Sequence, residues 1–214
     1  MKSILVIGLG QFGCHIAKRM SELHCEVMAV DTNEERVNEI LPYVTNAVIG
    51  DSTNAEFLRT LGIRDYDVCI VTIGDNFQTS LQTTALLDEL GASYVVARAS
   101  NDVQKKFLLR NGADEVTYPE LQTAMRIATK HASDSILDFI ELDNQYSIYE
   151  MRVPREWNGK TVVQLDIRRK FNLNIIAVRH DNRVNVPLPD TIMQEDDVVF
   201  VIGEIKAIQK CFKV

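Results

Sequence analysis

Short runs of consecutive hydrophobic residues recur along the first 120 residues of the chain. They lie at positions 4–7, 27–30, 47–49, 68–71 and 94–97, with a weaker run at 115–117. Runs this short, without alternating polar residues, are typical of strands buried on both faces of a parallel sheet. The pattern therefore predicts a sheet of parallel strands in this part of the chain.

Segments with hydrophobic residues at helical spacing lie between these runs. One contains Phe12, Ile16 and Met20, and another begins near Leu81 and is ended by Gly91 as a C-terminal cap. The segment 53–56 has the form of a capping box with Thr53 as the cap, and predicts the start of the third helix. Regular alternation of strand and helix predicts an α/β domain over residues 1–120, with a Rossmann-like doubly wound parallel sheet.

The pattern changes after residue 120. Residues 121–143 carry hydrophobic side chains at helical spacing, and we expect crossover or linker helices there. Residues 147–153 alternate as a half-solvated strand does, and 174–178 and 198–202 also predict strands. The sequence thus predicts a small α+β domain over 144–214, whose core is marginal alone and favours association with another copy.

Composition and charge narrow the class of protein. The chain has 214 residues, 46% of them hydrophobic and 25% charged, and a formal net charge of -7. The negative net charge argues against nucleic acid as a partner, because a surface that binds the phosphate backbone needs clustered Lys and Arg. The N-terminus lacks the pattern of a signal peptide, and no run approaches the length of a membrane span. We therefore expect a soluble cytoplasmic protein.

The four cysteines do not form a recognisable motif. Cys14, Cys25, Cys69 and Cys211 include no CxxC pair and have hydrophobic neighbours in the sequence. This spacing predicts reduced thiols rather than a disulfide framework or a zinc site.

A glycine motif stands directly after the first predicted strand. Residues 8–13 read GLGQFG, a G-x-G-x-x-G in which Gly8 permits the tight turn, Gly10 lets the backbone approach a diphosphate, and Gly13 lets helix pack on strand. Asp31 ends the second predicted strand. An acid at this position can accept hydrogen bonds from ribose hydroxyls, and its negative charge disfavours the 2'-phosphate of NADP. The motif predicts a nucleotide site at the start of the first helix.

Further polar residues follow the third, fourth and fifth strands, where ligands bind in open α/β sheets. Asp51 is interpreted either as an acceptor for an adenine amino group or as a helix cap. Arg98 is interpreted as a phosphate ligand or as part of a surface ion pair.

A catalytic set is not evident in the sequence. His15, His24, His131 and His180 show no placement typical of a general acid or base, and His15 is expected to be solvated or capping. No His/Cys pair has metal-ligand spacing. We expect a protein that binds a nucleotide without consuming it, and not an enzyme. A small NAD-dependent oxidoreductase and an NAD(H)-sensing regulator are the alternatives.

Several segments, taken in order, resemble those of RCK proteins (regulators of potassium conductance) of the KtrA/TrkA type. These segments are VIGLGQFG at 6–13, AVDTNEERV at 29–37, VIGDST at 48–53, TLGIRDYD at 60–67, VTIGDN at 71–76, NGADEVTYPE at 111–120 and QLDIRRKFNLNI at 164–175. The resemblance covers the whole chain.

The resemblance implies a regulatory, gating subunit of a bacterial Ktr/Trk potassium uptake system. It implies a nucleotide-binding RCK N-lobe that takes ATP, ADP or NAD(H), followed by an RCK C-lobe. Homodimers would assemble into an octameric ring beneath a membrane-embedded potassium channel subunit, at the inner face of the cell membrane. Nucleotide exchange would change the shape of the ring and so control ion flow.

The resemblance also assigns roles to residues. Ribose contacts fall on Asp31, Thr32 and Asn33, and Arg36 is placed at the base or the ribose. Adenine contacts fall on Asp51 and Ser52, and the base is lined by Ile73, Gly74 and Asp75. Phosphate contacts fall on the glycine loop, including Gln11 and Phe12, and on Arg98, Ala99 and Ser100. Glu120 matches an acid that helps to hold a divalent cation, Mg²⁺ or Ca²⁺, between two subunits.

Two features of the resemblance leave the ligand open. Related sequences carry arginine in the glycine loop where this chain has Gln11, so ATP, ADP, AMP and NAD(H) all remain candidates. Asp166, Arg168, Asn174 and Ile175 resemble a segment that binds cyclic di-AMP in some relatives. The alternative interpretation of Arg168 is a surface residue beside a strand.

Overall fold

In the computed structural model, which describes residues 1–143 and 145–213, six parallel strands form the sheet of an N-terminal unit, Met1–Glu120. The strands are β1 (Ser3–Ile7), β2 (Glu26–Asp31), β3 (Asn46–Ile49), β4 (Val68–Val71), β5 (Val95–Arg98) and β6 (Glu115–Thr117). Their order in the sheet is β3-β2-β1-β4-β5-β6. Strand order reverses between β1 and β4, as in a doubly wound fold, and the predicted fold class is confirmed.

Helices cover both faces of this sheet. They are α1 (Gln11–Glu22), α2 (Glu34–Ile40), α3 (Ala55–Thr60), α4 (Phe77–Glu89) and α5 (Asp102–Arg110). Helix α6 (Pro119–His131) begins at the end of this unit, and most of its residues belong to the C-terminal unit. One core cluster, which includes Val6 and Ala29, packs with α1 and α2, and a second, which includes Leu5 and Cys69, packs with α3, α4 and α5. Alternate residues of β1 enter different clusters because successive side chains of a strand point to opposite faces.

Asparagine caps the helices that follow the strand ends. Asn33, Asn54, Asn76 and Asn101 each accept a hydrogen bond from a backbone N–H in the first turn of α2, α3, α4 and α5. The predicted cap of α3 at Thr53 is therefore wrong by one residue. The Thr53 N–H and hydroxyl instead donate to the Asp51 carboxylate, at 2.9 and 2.7 Å.

The C-terminal unit, Leu121–Val214, contains a five-stranded antiparallel sheet. Its strands are β7 (Ile136–Glu141), β8 (Tyr146–Arg152), β9 (Asn174–His180), β10 (Arg183–Asn185) and β11 (Val198–Glu204), in the order β10-β9-β11-β8-β7. Its helices are α7 (Val162–Leu165), α8 (Ile167–Phe171) and α9 (Ile205–Phe212). Residues 144 and 214, the two ends of the predicted second domain, lie outside the described residues.

The core of this unit is built mainly from the strands and α9. Met151, Leu173, Met193 and Ile208 are fully buried in one cluster. The rings of Trp157 and Phe212 meet with centroids 5.1 Å apart. The strands have one buried and one open face, and α9 packs on the sheet. This arrangement belongs to the α+β class that the alternating pattern predicts.

The linker 121–143 differs from its prediction as wholly helical. Helix α6 ends at His131, and Ile136–Glu141 is strand β7, paired with β8 in antiparallel register. The hydrophobic spacing of Ile136, Phe139 and Ile140 fits a helix, but Phe139 stacks on Tyr149 of β8 with ring centroids 5.5 Å apart. A partner strand distant in sequence overrides the local periodicity.

Within residues 1–143 and 145–213, no helix combines the length and the apolar character needed to cross a bilayer.

Candidate functional site

A cleft opens at the carboxyl ends of β1 and β4, where strand order reverses. It has a volume of about 930 Å³. Its lining includes fourteen of the residues that the sequence predicts for the nucleotide site: Gly8, Gly10, Gln11, Phe12, Asp31, Thr32, Arg36, Asp51, Ser52, Ile73, Gly74, Asp75, Arg98 and Glu120. The topology therefore brings residues from most of the N-terminal unit to one place.

The glycine loop forms the floor of this cleft. Gly8 has a φ of 98°, and a Cβ at Gly13 would lie 1.9 Å from the Gly8 carbonyl oxygen, so both positions require glycine. Gly10 caps α1 without a side-chain hydrogen bond, and a Cβ there would meet nothing within 4 Å. The first amides of α1 thus border an open space that an anion can enter.

Asp31 connects the end of β2 to the glycine loop. Its carboxylate is buried, and it accepts hydrogen bonds from the Leu9 N–H at 2.6 Å and the Asn33 N–H at 2.8 Å. Arg36 Nη1 lies 3.6 Å from the same carboxylate. A carboxylate has about four acceptor positions, so capacity for ribose hydroxyls is left after these bonds. Asp31 therefore shapes the loop in addition to facing the cleft.

Asp51 and Ser52 follow β3, the strand that pairs with β2. Hydrogen bonds from the Thr53 hydroxyl and N–H hold the pKa of the Asp51 carboxyl below its usual range. Because Asn54 caps α3, the interpretation of Asp51 as the helix cap is wrong. The Ser52 hydroxyl is buried, 2.7 Å from the Thr83 hydroxyl.

Arg98 extends from the end of β5 along the wall of the cleft. A Cβ at Gly74 would lie 2.5 Å from Arg98 Nη1, so the guanidinium passes directly over this glycine. Its central carbon lies 5.6 Å from the centre of the Phe12 ring, and it forms an ion pair with Glu120. Arg98 Nε is buried and has no hydrogen-bond partner among the described residues. The ion pair predicted for Arg98 is present, and it lies within the cleft.

Glu120 stands at the first turn of α6. Its own backbone N–H and the Arg98 guanidinium hold the pKa of its carboxyl below the usual range. In the parts of the chain that the structure describes, no three His, Cys, Asp or Glu side chains converge as metal ligands. Glu120, already paired with the Arg98 guanidinium, is therefore not part of a ready set of metal ligands within one described chain.

Four residues predicted for the site do not line the cleft: Gly13, Asn33, Ala99 and Ser100. Gly13 lies beneath the loop, Asn33 caps α2, and Ala99 is fully buried in the core. Ser100 is exposed, and its N–H donates to the Gln104 side chain at 2.8 Å. These four residues are therefore not part of the lining of the cleft.

Several polar residues line the cleft without having been assigned to it from the sequence, among them His15, Thr72 and Thr79. His15 lies one turn along α1, so its interpretation as merely solvated or capping misses its position at the site. Thr79 lies in the first turn of α4, and Thr72 directly follows β4. The position of Thr72 at the carboxyl end of a central strand is a signal that could have identified it.

A second groove lies in the C-terminal unit. It has a volume of about 660 Å³, and Asp166, Arg168, Asn174 and Ile175 all line it. Arg169 and Lys170 add two cationic side chains from the last turn of α8. The four residues that were predicted together from the sequence therefore share one surface, and that surface is basic.

Family comparisons match both parts of the chain. Residues 4–119 match the TrkA-N domain, and residues 148–214 match the TrkA-C domain.

Two relatives from Bacillus subtilis (strain 168) are similar to this chain along nearly its whole length. The Ktr system potassium uptake protein C is 41% identical over 210 residues, and the Ktr system potassium uptake protein A is 37% identical over 210 residues. Each match covers 98% of this chain and 95% of the relative.

Among solved structures, the GsuK channel has a similar fold. The TM-score is 0.72 at 18% identity, over 99% of this chain and 39% of the channel chain. A structure of the GsuK channel bound to NAD has a TM-score of 0.52 at 23% identity, over 100% of this chain and 38% of that one. The present chain thus spans less than half of the length of these channel chains.

Proposed function

Since this chain belongs to the family of Ktr system potassium uptake proteins with TrkA-N and TrkA-C domains, we propose that it is a nucleotide-binding regulatory subunit of a potassium transporter. The observation that carries the proposal is the cleft of the N-terminal unit, which joins a glycine loop, a buried acid and a guanidinium at the strand reversal. Regulation rather than catalysis is the role that we assign to the chain.

The residues of the cleft fit an adenine nucleotide or NAD(H). The open amides of α1 suit a phosphate group, and Gly10 leaves room for its close approach. Asp31 retains acceptor capacity for ribose hydroxyls. Asp51 and Ser52 stand where they would contact the base, while Arg98 lies at the end of the cleft nearer the loop.

Gating would follow from a difference in affinity between two conformations. Arg98 is held by Glu120 in the described chain, and a phosphate at the loop offers the guanidinium a second anionic partner. A ligand that binds better when Arg98 and Glu120 are in one arrangement increases the population of the conformation that has this arrangement. We assign this coupling to a homodimer within an octameric ring that acts on a membrane-embedded potassium channel subunit from the cytoplasmic side.

Two finer assignments belong to the same proposal. We retain a nucleotide-binding domain over 1–120 and a second domain over 144–214, joined by 121–143. Because no three His, Cys, Asp or Glu side chains converge as metal ligands in the described residues, a divalent cation at Glu120 would need further oxygen ligands from the nucleotide or from a second subunit.

The sharpest test of the cleft is Gly10→Ala. A Cβ at Gly10 meets no protein atom within 4 Å, and its φ of -66° suits alanine, so the variant should fold normally. The added methyl group would nevertheless occupy the space through which a phosphate approaches the loop. We expect the variant to lose ADP, ATP and NADH binding in calorimetric titration, with an unchanged melting temperature.

The wild-type protein supplies the control for this test. Mass spectrometry of the nucleotide that copurifies with it should detect an adenine nucleotide or NAD(H). If the wild type binds none of these ligands, or if Gly10→Ala binds them unchanged, the proposed nucleotide site is wrong.

A second ligand, cyclic di-AMP, is supported by the groove of the C-terminal unit. Arg168, Arg169 and Lys170 place positive charge on a surface that also carries Asn174, and a guanidinium fork suits phosphate oxygens. Titration with cyclic di-AMP should show binding that Arg168→Ala weakens. Arg155→Ala, which removes an exposed arginine outside this groove, is the matched control. Equal binding by both variants and the wild type would contradict the assignment.

A further inference from the structure

Thr72 occupies an unusual position between the central strands. Its side chain is buried at the carboxyl end of β4, and its N–H donates to the Ile7 carbonyl at 2.8 Å, which continues the pairing of β4 with β1. Its hydroxyl lies 2.5 Å from the Gly8 carbonyl oxygen and 3.0 Å from that of Ile7. The hydroxyl therefore bridges the two strands that separate to form the cleft.

The peptide unit between Gly8 and Leu9 is held from both sides. Its carbonyl accepts the Thr72 hydroxyl, and its N–H donates to the buried Asp31 carboxylate at 2.6 Å. Rotation of this peptide plane would break both hydrogen bonds. Gly8 has a φ of 98°, where glycine has wide backbone freedom, so the orientation of the plane depends on these two partners rather than on local sterics.

The orientation of this peptide decides where the following amides point. Gly10 caps α1 only two residues later, and the Cys14 N–H donates to the Gly10 carbonyl at 2.9 Å as the first bond of the helix. The amides at the start of α1 are those that border the cleft. A loop held in one conformation presents them to a phosphate without first having to be ordered.

We propose that Thr72 is a positioning residue for nucleotide phosphates, acting through the Gly8–Leu9 peptide rather than by touching the ligand. This proposal rests on the proposed nucleotide site and adds to it a specific determinant of affinity. If the proposal is right, Thr72 affects the affinity of a ligand only when that ligand carries phosphate groups. Adenosine, which has none, should be insensitive to the residue.

The test compares Thr72→Val with the wild type in titrations with ADP and with adenosine. Valine has nearly the same shape as threonine but cannot donate a hydrogen bond. We expect ADP affinity to fall about tenfold, the equivalent of one lost hydrogen bond, with adenosine affinity within twofold of the wild type. Thr72→Ser, which keeps the hydroxyl, should retain the ADP affinity of the wild type.

Thr84→Val is the matched control. Thr84 is also fully buried in the N-terminal unit, but its hydroxyl donates to the Ser80 carbonyl within α4, at 2.8 Å, and it does not line the cleft. The Thr84→Val variant should be less stable than the wild type but should bind ADP with the same affinity.

Three results would overturn the proposal: Thr72→Val binding ADP as the wild type does, Thr72→Val losing adenosine and ADP affinity equally, or Thr72→Ser losing tenfold in ADP affinity. If Thr72→Val does not fold, Thr72→Ala takes its place, with the same expected tenfold loss of ADP affinity and unchanged adenosine affinity, and ADP affinity equal to that of the wild type refutes the proposal. Failure of the wild type to bind ADP would instead contradict the proposed nucleotide site itself.

Discussion

Single residues in the cleft serve the fold and the ligand together. Asp31 holds the Leu9 and Asn33 amides and also faces the space where ribose is expected. Removing its carboxylate would leave the buried Leu9 amide unsatisfied, which itself costs about 1–3 kcal/mol. A change in nucleotide affinity at Asp31 would therefore combine a lost ligand contact with a disturbed loop. Gly10 and Gln11 separate the two effects more cleanly.

Gln11 is the position where discrimination between ATP and ADP can be tested. It is the first residue of α1, it is exposed, and it lines the cleft. Its amide forms only neutral hydrogen bonds, whereas an arginine would add charge beside a terminal phosphate. We expect Gln11→Arg to favour ATP over ADP by about 1–2 kcal/mol relative to the wild type.

Paired competition titrations with ATP and ADP at fixed magnesium concentration would measure this shift. His15→Arg, one turn further along α1, is the control for added charge at a second position in the cleft. A wild type that already prefers ATP more than tenfold, with no change in Gln11→Arg, would show that position 11 does not sense the terminal phosphate.

At the scale of elements, one histidine joins two parts of the C-terminal sheet. His180 ends β9, and its Nδ1 lies 2.7 Å from the buried Asp197 carboxylate, which precedes β11. Asp197 also accepts the Gln194 N–H at 2.8 Å. The hydrogen bond that the Asp197 carboxylate accepts from His180, with the charge of Asp181 nearby, raises the pKa of His180 above its ordinary value. Protonated His180 thus stabilises the end of the β9–β10 hairpin.

The stability of the C-terminal unit should accordingly depend on pH through His180. A raised pKa in the folded state means that the stabilisation is complete below the ordinary histidine pKa of about 6.5 and is lost as pH rises through the folded value. His180→Gln should therefore destabilise the protein more at about pH 5.5 than at about pH 8.5. Urea unfolding at the two pH values measures the difference.

His15→Gln, an exposed histidine of the N-terminal unit, is the control for the loss of an imidazole. The interpretation fails if His180→Gln loses the same stability at both pH values.

At the scale of the whole molecule, large hydrophobic side chains are exposed on two helices. On α5 these are Val103, Phe107 and Leu109, and on α6 they are Leu121, Met125 and Ile127. Large hydrophobic side chains grouped on a solvent-exposed surface mark sites where proteins associate with one another. The exposed groups on each helix favour an assembly of several copies.

We expect light scattering at micromolar concentration to report a mass at least twice the 24.2 kDa of one chain. The burial of these side chains between copies supplies the driving force. Met125→Glu should shift the population toward smaller species, whereas Glu22→Gln, at an exposed side chain of α1, should not. A wild type that is only a 24.2 kDa monomer would contradict the homo-oligomer.

Local patterns along the chain predict the fold class of the N-terminal unit and the position of its candidate site. Unbroken hydrophobic runs predict buried parallel strands, and the glycine motif predicts a phosphate-facing turn, because both depend on residues that are adjacent in the chain. Fourteen predicted residues reach the cleft for the same reason, since the carboxyl ends of parallel strands meet at one edge of the sheet.

Features that depend on partners distant in sequence are visible in the folded chain alone. β7 exists because β8 pairs with it, and the same hydrophobic spacing without that partner predicts a helix. The ion pair of Arg98 with Glu120, and the bond of Thr72 to the Gly8 carbonyl across 64 positions, have no local signature. Hydrogen bonds and ion pairs require contact within a few ångströms, and a linear pattern does not specify which distant groups the fold brings that close.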